Sequence, residues 1–382
     1  MAGRQAFFMI WALLTIASAA AWGDTTAQVR DDGSEAMGEG PQCVLTLEPG
    51  DGNPRNSEGD FIQLKDGRLL FVYTHFVGSS SDFGSAYLAG RHSDDGGRTW
   101  SAEDEVVLPN EGDVNTMSVS LLRLRSGEIA LFYLRKNSKA DCRCYMRIST
   151  DEGRTWSEPR VCIEPLGYYV VNNDRVIQLE SGRLVVPAAC HGSAGEDYRH
   201  PGKAMCYLSD DNGETWRVST TILEPPEGSR SGLQEPGVVE LKDGRVLMLC
   251  RTDQGCQYRS RSDDGGTTWS PAEPTDIVSP VSPASFERIP ATGDLLLVWN
   301  DHHAIDPALT GKRTPLTVAV SQDEGQTWNP ARMLENNPAG WYCYTAIAFV
   351  GDHILLGYCA GDTTIGGLNR TRIVRLPVTW LY

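Results

Sequence analysis

Three observations predict an all-β chain folded as a six-bladed β-propeller. An eight-residue pattern, Ser-x-Asp-x-Gly-x-Thr-Trp, occurs five times along the chain. Six short β-rich segments each fold back on a glycine turn and interleave with that pattern. Outside the N-terminal leader, no long segment carries the 3.6-residue apolar period of an amphipathic helix.

The eight-residue boxes are Ser93–Trp100, Ser149–Trp156, Ser209–Trp216, Ser262–Trp269 and Ser321–Trp328, at intervals of 56, 60, 53 and 59 residues. A repeat in this range is the signature of a propeller or a solenoid. The chemistry of the box is local. Its Asp accepts hydrogen bonds from the turn's own N–H groups, and its Gly supplies a left-handed dihedral. Its Trp covers the turn and packs between sheets. These Asp residues are therefore read as structural.

The six hairpins turn at Gly67, Gly127, Gly182, Gly244, Gly293 and Gly351. Each reads as strand, tight turn, strand. One unit is then strand, Gly turn, strand, loop, strand, box turn, strand. The sixth unit has the hairpin without a box, and the chain ends in another strand-like run, residues 372–382. A strand near Cys43–Leu47 completes the last sheet and closes the ring.

The 382 residues carry 34 Lys plus Arg against 50 Asp plus Glu, a formal net charge of -16. An acidic chain without a basic block is a poor nucleic-acid binder, and its apolar content excludes a disordered one. Residues 1–21 have the basic start, short apolar run and small-residue site of a signal peptide. Residues 22–40 read as a flexible leader and residues 41–382 as the propeller. The expected location is therefore secreted or periplasmic, without stable membrane insertion, and the expected state is a monomer. The ten cysteines fit an oxidising compartment. Cys343 and Cys359 lie symmetrically about Gly351, while Cys190/Cys206 and Cys250/Cys256 each flank a loop. No C-x-x-C pair and no Cys–His cluster is present, so neither a metal site nor a cofactor is expected.

The unit order places Gly turns and box turns on one side of the ring. The other side is built from the starts of the first strands and from the loops between second and third strands. Those segments converge on the axis and are rich in Arg, Asp, Glu, Asn, Tyr and His, which is where a ligand site belongs.

The five boxes with their six hairpins resemble the BNR-repeat sialidases (neuraminidases) over nearly the whole predicted mature chain. That resemblance implies an arginine triad for the substrate carboxylate, a Tyr–Glu pair and an Asp acid/base. A guanidinium fork matches a carboxylate in two-point geometry. A neutral Tyr serves as nucleophile where a carboxylate would be repelled by the substrate's own anion. Residue by residue, the segment around Gln234-Glu235-Pro236 resembles the stretch carrying Glu235 and Arg251. Arg313 precedes the last box as the third triad Arg does. Tyr342 opens the sixth hairpin at the nucleophile position, with Tyr344 as its competitor, and Asp82 resembles the acid/base. The first triad position departs from the family: it reads Ser57-Glu58-Gly59, with Arg55 two residues upstream. Asp174 and Arg175, in the cluster Asn172–Arg175, either bind sugar hydroxyls or solvate the start of a strand. The resemblance implies a secreted exo-glycosidase acting on terminal sialic acid or a related acidic sugar of a glycoconjugate. Two alternatives stay open: a glycosidase or lyase acting on another acidic sugar such as a uronic acid, and a non-catalytic glycan-binding propeller.

Overall fold

The computed structural model describes residues 40–193 and 198–382. The signal-peptide and leader expectations for residues 1–39 lie outside the described residues. The described chain is all-β, with two single-turn 3-10 segments, Pro307–Leu309 and Val378–Leu381, as its only helical elements.

Four antiparallel sheets have four strands each. The first contains Arg55–Gln63, Leu69–Val77, Ser85–Ser93 and Glu105–Leu108 in chain order. The next two are Gln234–Glu240 to Glu273–Val278, and Ser285–Arg288 to Arg332–Glu335. In the last, Gln42–Leu47 pairs with Thr371–Pro377, beyond which lie His353–Asp362 and Gly340–Val350. The N-terminal strand thus completes the final sheet, as the sequence predicts. The second and third units depart from separate four-stranded sheets. They merge into one nine-stranded sheet because Gly167–Val170 pairs parallel to Asp141–Ser149 while also pairing with Leu184–Ser193.

All six predicted glycine turns adopt positive φ. The five boxes form one repeated set of contacts. In Ser209–Trp216, Gly213 N–H donates to Ser209 Oγ at 2.8 Å, and Thr215 donates its N–H and hydroxyl to Asp211 at 2.9 and 2.6 Å. The box Trp residues pack against separate apolar clusters: Trp100, Trp156, Trp216, Trp269 and Trp328 each join a different one.

The apolar clusters lie between neighbouring sheets. Leu70, Val72 and Leu88 pack against Val119, Leu121 and Leu131 of the next unit. Ile289, Leu296 and Val318 pack against Ile347 and Leu356. Alternation gives each strand two apolar faces, and burying one such side chain contributes about 1.5–3 kcal/mol. The first strands of the units stand side by side and are almost wholly buried, whereas the fourth strands are largely exposed.

All ten cysteines are free. Cys343 and Cys359 do face each other across the hairpin. Cys190/Cys206 and Cys250/Cys256 do not face each other: Cys190 stands opposite Lys203, Cys206 opposite Pro187 and Cys250 opposite Tyr258.

Candidate active site

The site is built on irregular first strands. In four units the ladder shifts register in mid-strand. A residue in left-handed conformation sits in each shift: Glu58 (φ 55°), Ser118 (55°), Glu235 (45°) and Tyr344 (59°). Asp174 (φ 54°) takes the matching place in the third unit. A non-glycine residue held there costs about 1–3 kcal/mol, and a bulge re-aims the side chain it carries.

This re-aiming separates the two candidate tyrosines, Tyr342 and Tyr344. Simple alternation puts Tyr342 and Tyr344 on one face, but the extra residue between Cys343 and Ala346 separates them. Tyr342 turns into the apolar cluster between the fifth and sixth units. Its ring stands edge-on to Tyr358, and burial together with Glu335 pushes its hydroxyl up to about 12. Tyr344 instead faces the axis, and its hydroxyl donates to Glu235 Oε1 at 3.0 Å. The predicted Tyr–Glu pair therefore forms through Tyr344.

Glu235 is held from its other side by Arg251, whose Nη1 donates to Oε2 at 2.8 Å. Burial opposes the charge of Glu235, but Arg251 and Arg313 outweigh it and hold the carboxyl below its usual range. Burial and the adjacent Glu235 together raise Tyr344 far above an ordinary phenol, so its proton is in place at rest. Arg313 lies over the Tyr344 ring at 5.2 Å and over Trp341 at 5.4 Å. Its carbonyl accepts the N–H of Tyr342 at 2.8 Å, which ties it to the strand that carries Tyr344. Arg313 is 6% exposed, yet its Nε and Nη1 have no protein partner; Arg251 Nε is likewise unpartnered. A buried guanidinium with open donors is costly unless an anion takes them.

Arg55 differs. It reaches the same side of the ring, but its donors are occupied: Nε by Ser57 at 2.9 Å, Nη2 by Glu58 at 3.0 Å, and Nη1 by Asp82 at 2.5 Å and Ser80 O at 3.3 Å. Arg55 is thus paired with Glu58 and Asp82, whereas Arg251 and Arg313 keep open donors. Glu58 also accepts the Ser118 hydroxyl, which ties the Arg55–Glu58 pair to the adjoining strand. Asp82 has a side chain 56% exposed and opens onto a cleft. Burial of its surroundings works against ionisation, but Arg55, Lys136 and Arg313 prevail and hold the carboxyl low. Lys136 is buried and donates to Asp82 O at 2.8 Å, which fixes the loop.

Asp174 and Arg175 lie deeper on the axis. Asp174 Oδ2 accepts Ile347 N–H at 2.9 Å, and its carboxyl neighbours those of Asp60 and Glu287. Burial raises all three carboxyls. Arg175 is 4% exposed and faces Asp174, Glu235 and Glu287. It fills space left by Gly237, where a Cβ would stand 3.1 Å from Nη1. Asn173 bridges Gly59 O and Tyr344 O at 2.8 and 3.1 Å. Asp174 and Asn173 thus act as struts across the axis rather than as surface groups. Ser118 and Glu287 are site-supporting residues that the sequence reading did not single out; Ser118 stands nine residues before its Gly turn, as Glu58 and Glu235 do before theirs. Among the described residues no group of three or more His, Cys, Asp or Glu side chains has metal-holding geometry.

The model for the BNR repeat-like domain matches residues 87–356. The chain belongs to this family. Curated relatives of this BNR repeat chain are sialidases. That of Micromonospora viridifaciens is 27% identical over 74% of this chain and 46% of its own length. That of Bacteroides fragilis is 30% identical over 52% of this chain and 36% of its own length. The chain therefore spans less than half the length of these relatives. Among solved structures, the NanB sialidase of Streptococcus pneumoniae (K499G mutant) superposes with TM-score 0.68 at 17% identity, covering 89% of this chain and 71% of that one. The intramolecular trans-sialidase of Ruminococcus gnavus gives 0.67 at 15%, covering 88% and 97%. These likenesses establish a sialidase-like fold. Among the described residues no helix is long and apolar enough to cross a membrane.

Proposed function

We propose that the protein is a retaining exo-glycosidase of the sialidase type, acting at the axis of a six-bladed ring with Tyr344 as nucleophile. The observation that carries the proposal is the relay Tyr344–Glu235–Arg251 beside a buried Arg313 with open donors. Glu235 takes the phenol proton as Tyr344 oxygen bonds to the anomeric carbon. Asp82 protonates the departing glycosidic oxygen. In the second half, Asp82 carboxylate takes a proton from water as that water attacks the anomeric carbon. The Tyr344–carbon bond breaks and Glu235 returns the proton to the phenol. Two displacements retain configuration.

The position of Arg313 speaks to the substrate. Its guanidinium stands next to the Tyr344 ring, so the acid group it grips lies close to the attacked carbon. A sugar with its carboxylate on the anomeric carbon, sialic acid or a related nonulosonic acid, meets that demand. A phenol attacking such a carbon is also spared the repulsion a carboxylate nucleophile would meet. The clamp is then two arginines, 251 and 313. The closed state of Arg55 favours a second reading, another acidic sugar such as a uronic acid, because one side of the pocket presents Glu58 and Asp82 in place of a free guanidinium.

Turnover of paired fluorogenic glycosides, one sialoside and one uronoside, between pH 4 and 8 tests both. Release from the sialoside alone supports the first reading and release from the uronoside alone the second. Folded protein inert on both substrates refutes the glycosidase proposal. Export, proposed from residues 1–21, is tested by whether that segment directs a reporter out of the cell.

A further inference from the structure

A cleft of about 450 Å3 opens beside Asp82. Its walls include Phe83, Tyr168, Tyr198, His200 and Arg230, and none of Tyr344, Arg251 or Arg313 lines it. Phe83, Tyr168 and Tyr198 form a triangle of rings, with centroids 6.4, 5.7 and 5.2 Å apart. Two lysines stand on the ring faces: Lys139 over Phe83 and Tyr198 at 5.5 and 5.4 Å, and Lys136 over Phe83 and Tyr168 at 4.9 and 5.6 Å. Lys136 is buried and committed to Asp82 O. Lys139 is exposed, as are His200 and Arg230. Among the described residues no carboxylate within ion-pair distance holds Lys139 or Arg230, and Asp82 is the one acidic residue in the cleft lining.

On a chain of net charge -16, the exposed side chains of Lys139 and Arg230 put cations at the edge of an aromatic cleft. Cations at a cleft edge attract anionic ligands. Ring faces that hold an ammonium also keep it pre-positioned at low entropic cost. The place matters too. The Asp82 carboxyl that protonates the glycosidic oxygen in the proposed reaction lies at the cleft wall, so the departing half of the substrate lies there.

We propose that this cleft is a leaving-group subsite for a saccharide that itself carries an acidic substituent, with Lys139 and Arg230 binding the anion and the Phe83–Tyr168–Tyr198 triangle shaping the floor. The assignment to the leaving-group side rests on the glycosidase reading above; the binding of an acidic saccharide does not. The shared chemistry is a sugar-borne anion, either carboxylate or sulfate.

Calorimetric titration of the wild-type chain tests it directly with two neutral and acidic pairs: cellobiose against cellobiuronic acid, and lactose against lactose 6′-sulfate. The expected result at low salt is that at least one acidic member binds about tenfold tighter than its parent, a preference that shrinks as salt is raised. Which pair shows it identifies the anion. The double variant Lys139→Ala/Arg230→Ala should erase the preference while leaving melting temperature and turnover of a small aryl glycoside unchanged. Arg313→Met should leave the preference intact, which separates this cleft from the central clamp. Equal affinity for both members of both pairs, or a preference untouched by the double variant, overturns the proposal. Loss of the aryl-glycoside assay in the wild type would instead overturn the glycosidase reading, and the titration would still decide the cleft.

Discussion

The two tyrosines of the sixth hairpin give the sharpest test, because they are two residues apart and the fold assigns them opposite environments. In Tyr344→Phe the hydroxyl that donates to Glu235 at 3.0 Å is lost. A hydrogen bond to a charged partner contributes about 1.5–3 kcal/mol. At about 1.36 kcal/mol per factor of ten, a Tyr344 that only positions Glu235 or binds substrate accounts for a loss of roughly 10- to 150-fold. A nucleophile is different in kind, since its removal deletes the covalent step, and kcat should fall by more than about 10^4. In Tyr342→Phe the lost hydroxyl lies in the apolar cluster beside Tyr358 and away from Glu235, so kcat should stay within about threefold. The assay is steady-state hydrolysis of an aryl sialoside or uronoside, whichever the wild type turns over, with near-UV circular dichroism as the check on folding. A Tyr344→Phe protein that keeps more than about 1% of wild-type kcat refutes the nucleophile assignment. Equal damage from the two substitutions refutes the bulge argument that separates them.

Three further outcomes follow from the same geometry. Arg55 and Lys136 hold Asp82 below the usual carboxylate range, so Asp82 as an acid is active only at low pH. Arg55→Gln removes that cation, lets the Asp82 value rise, and should move the alkaline limb of the kcat/KM profile upward in pH. An unmoved limb rules out Asp82 as the titrating acid. Burial raises Asp60 and Asp174 in the folded state. Their contribution to stability is full at acid pH and is lost as pH rises through the raised values, so melting temperature should fall from mildly acidic to neutral pH. Asp60→Asn should flatten that fall, as read by thermal denaturation across pH. Trp269 is buried, and its indole N–H donates to Gly266 O at 2.9 Å; Trp269→Ala should cost about 3–5 kcal/mol in denaturant unfolding with the remaining boxes intact.

The fold was legible because its turns are written in local chemistry. An Asp that collects the N–H groups of its own turn and a Gly that alone accepts the left-handed dihedral leave their mark at fixed positions, and five copies make the period plain. The pairing of Gly167–Val170 with two neighbours was not legible, because parallel contact between units depends on how sheets approach one another and not on either sequence alone. Glu235 and Arg251 were readable at facing strand ends, and they do meet. Sequence alone does not separate Tyr344 from Tyr342, because alternation in a regular strand puts both on one face. A bulge carried by Tyr, Glu or Ser has no composition signal, unlike one carried by Gly. The closure of Arg55 was hidden for a related reason: Glu58 reaches it only because its own backbone is left-handed.

The recurrence of that conformation argues for a common device at the axis. Four bulged first strands and the third-unit loop each present one left-handed residue inward, and those residues are Glu58, Ser118, Asp174, Glu235 and Tyr344. Three of them take part in the two polar assemblies of the site: Glu235 and Tyr344 in the relay, and Glu58 in the clasp on Arg55. Ser118 and Asp174 tie one strand to another, through Glu58 and through Ile347 N–H. Each conformation costs about 1–3 kcal/mol, so the set together is comparable to the net stability of an ordinary domain. Such a cost persists only where the surroundings over-determine it. Here they do: Asn173 fixes Gly59 and Tyr344 from the third unit, and Ser285 Oγ fixes Thr345 O at 2.6 Å from the fifth. In a regular strand, successive side chains leave for opposite sheet faces, into the apolar clusters between units. In four units the bulge turns one side chain out of that pattern and onto the axis. The hydrophobic interfaces between units, far from any reacting atom, therefore supply the rigidity that holds Tyr344 against Glu235.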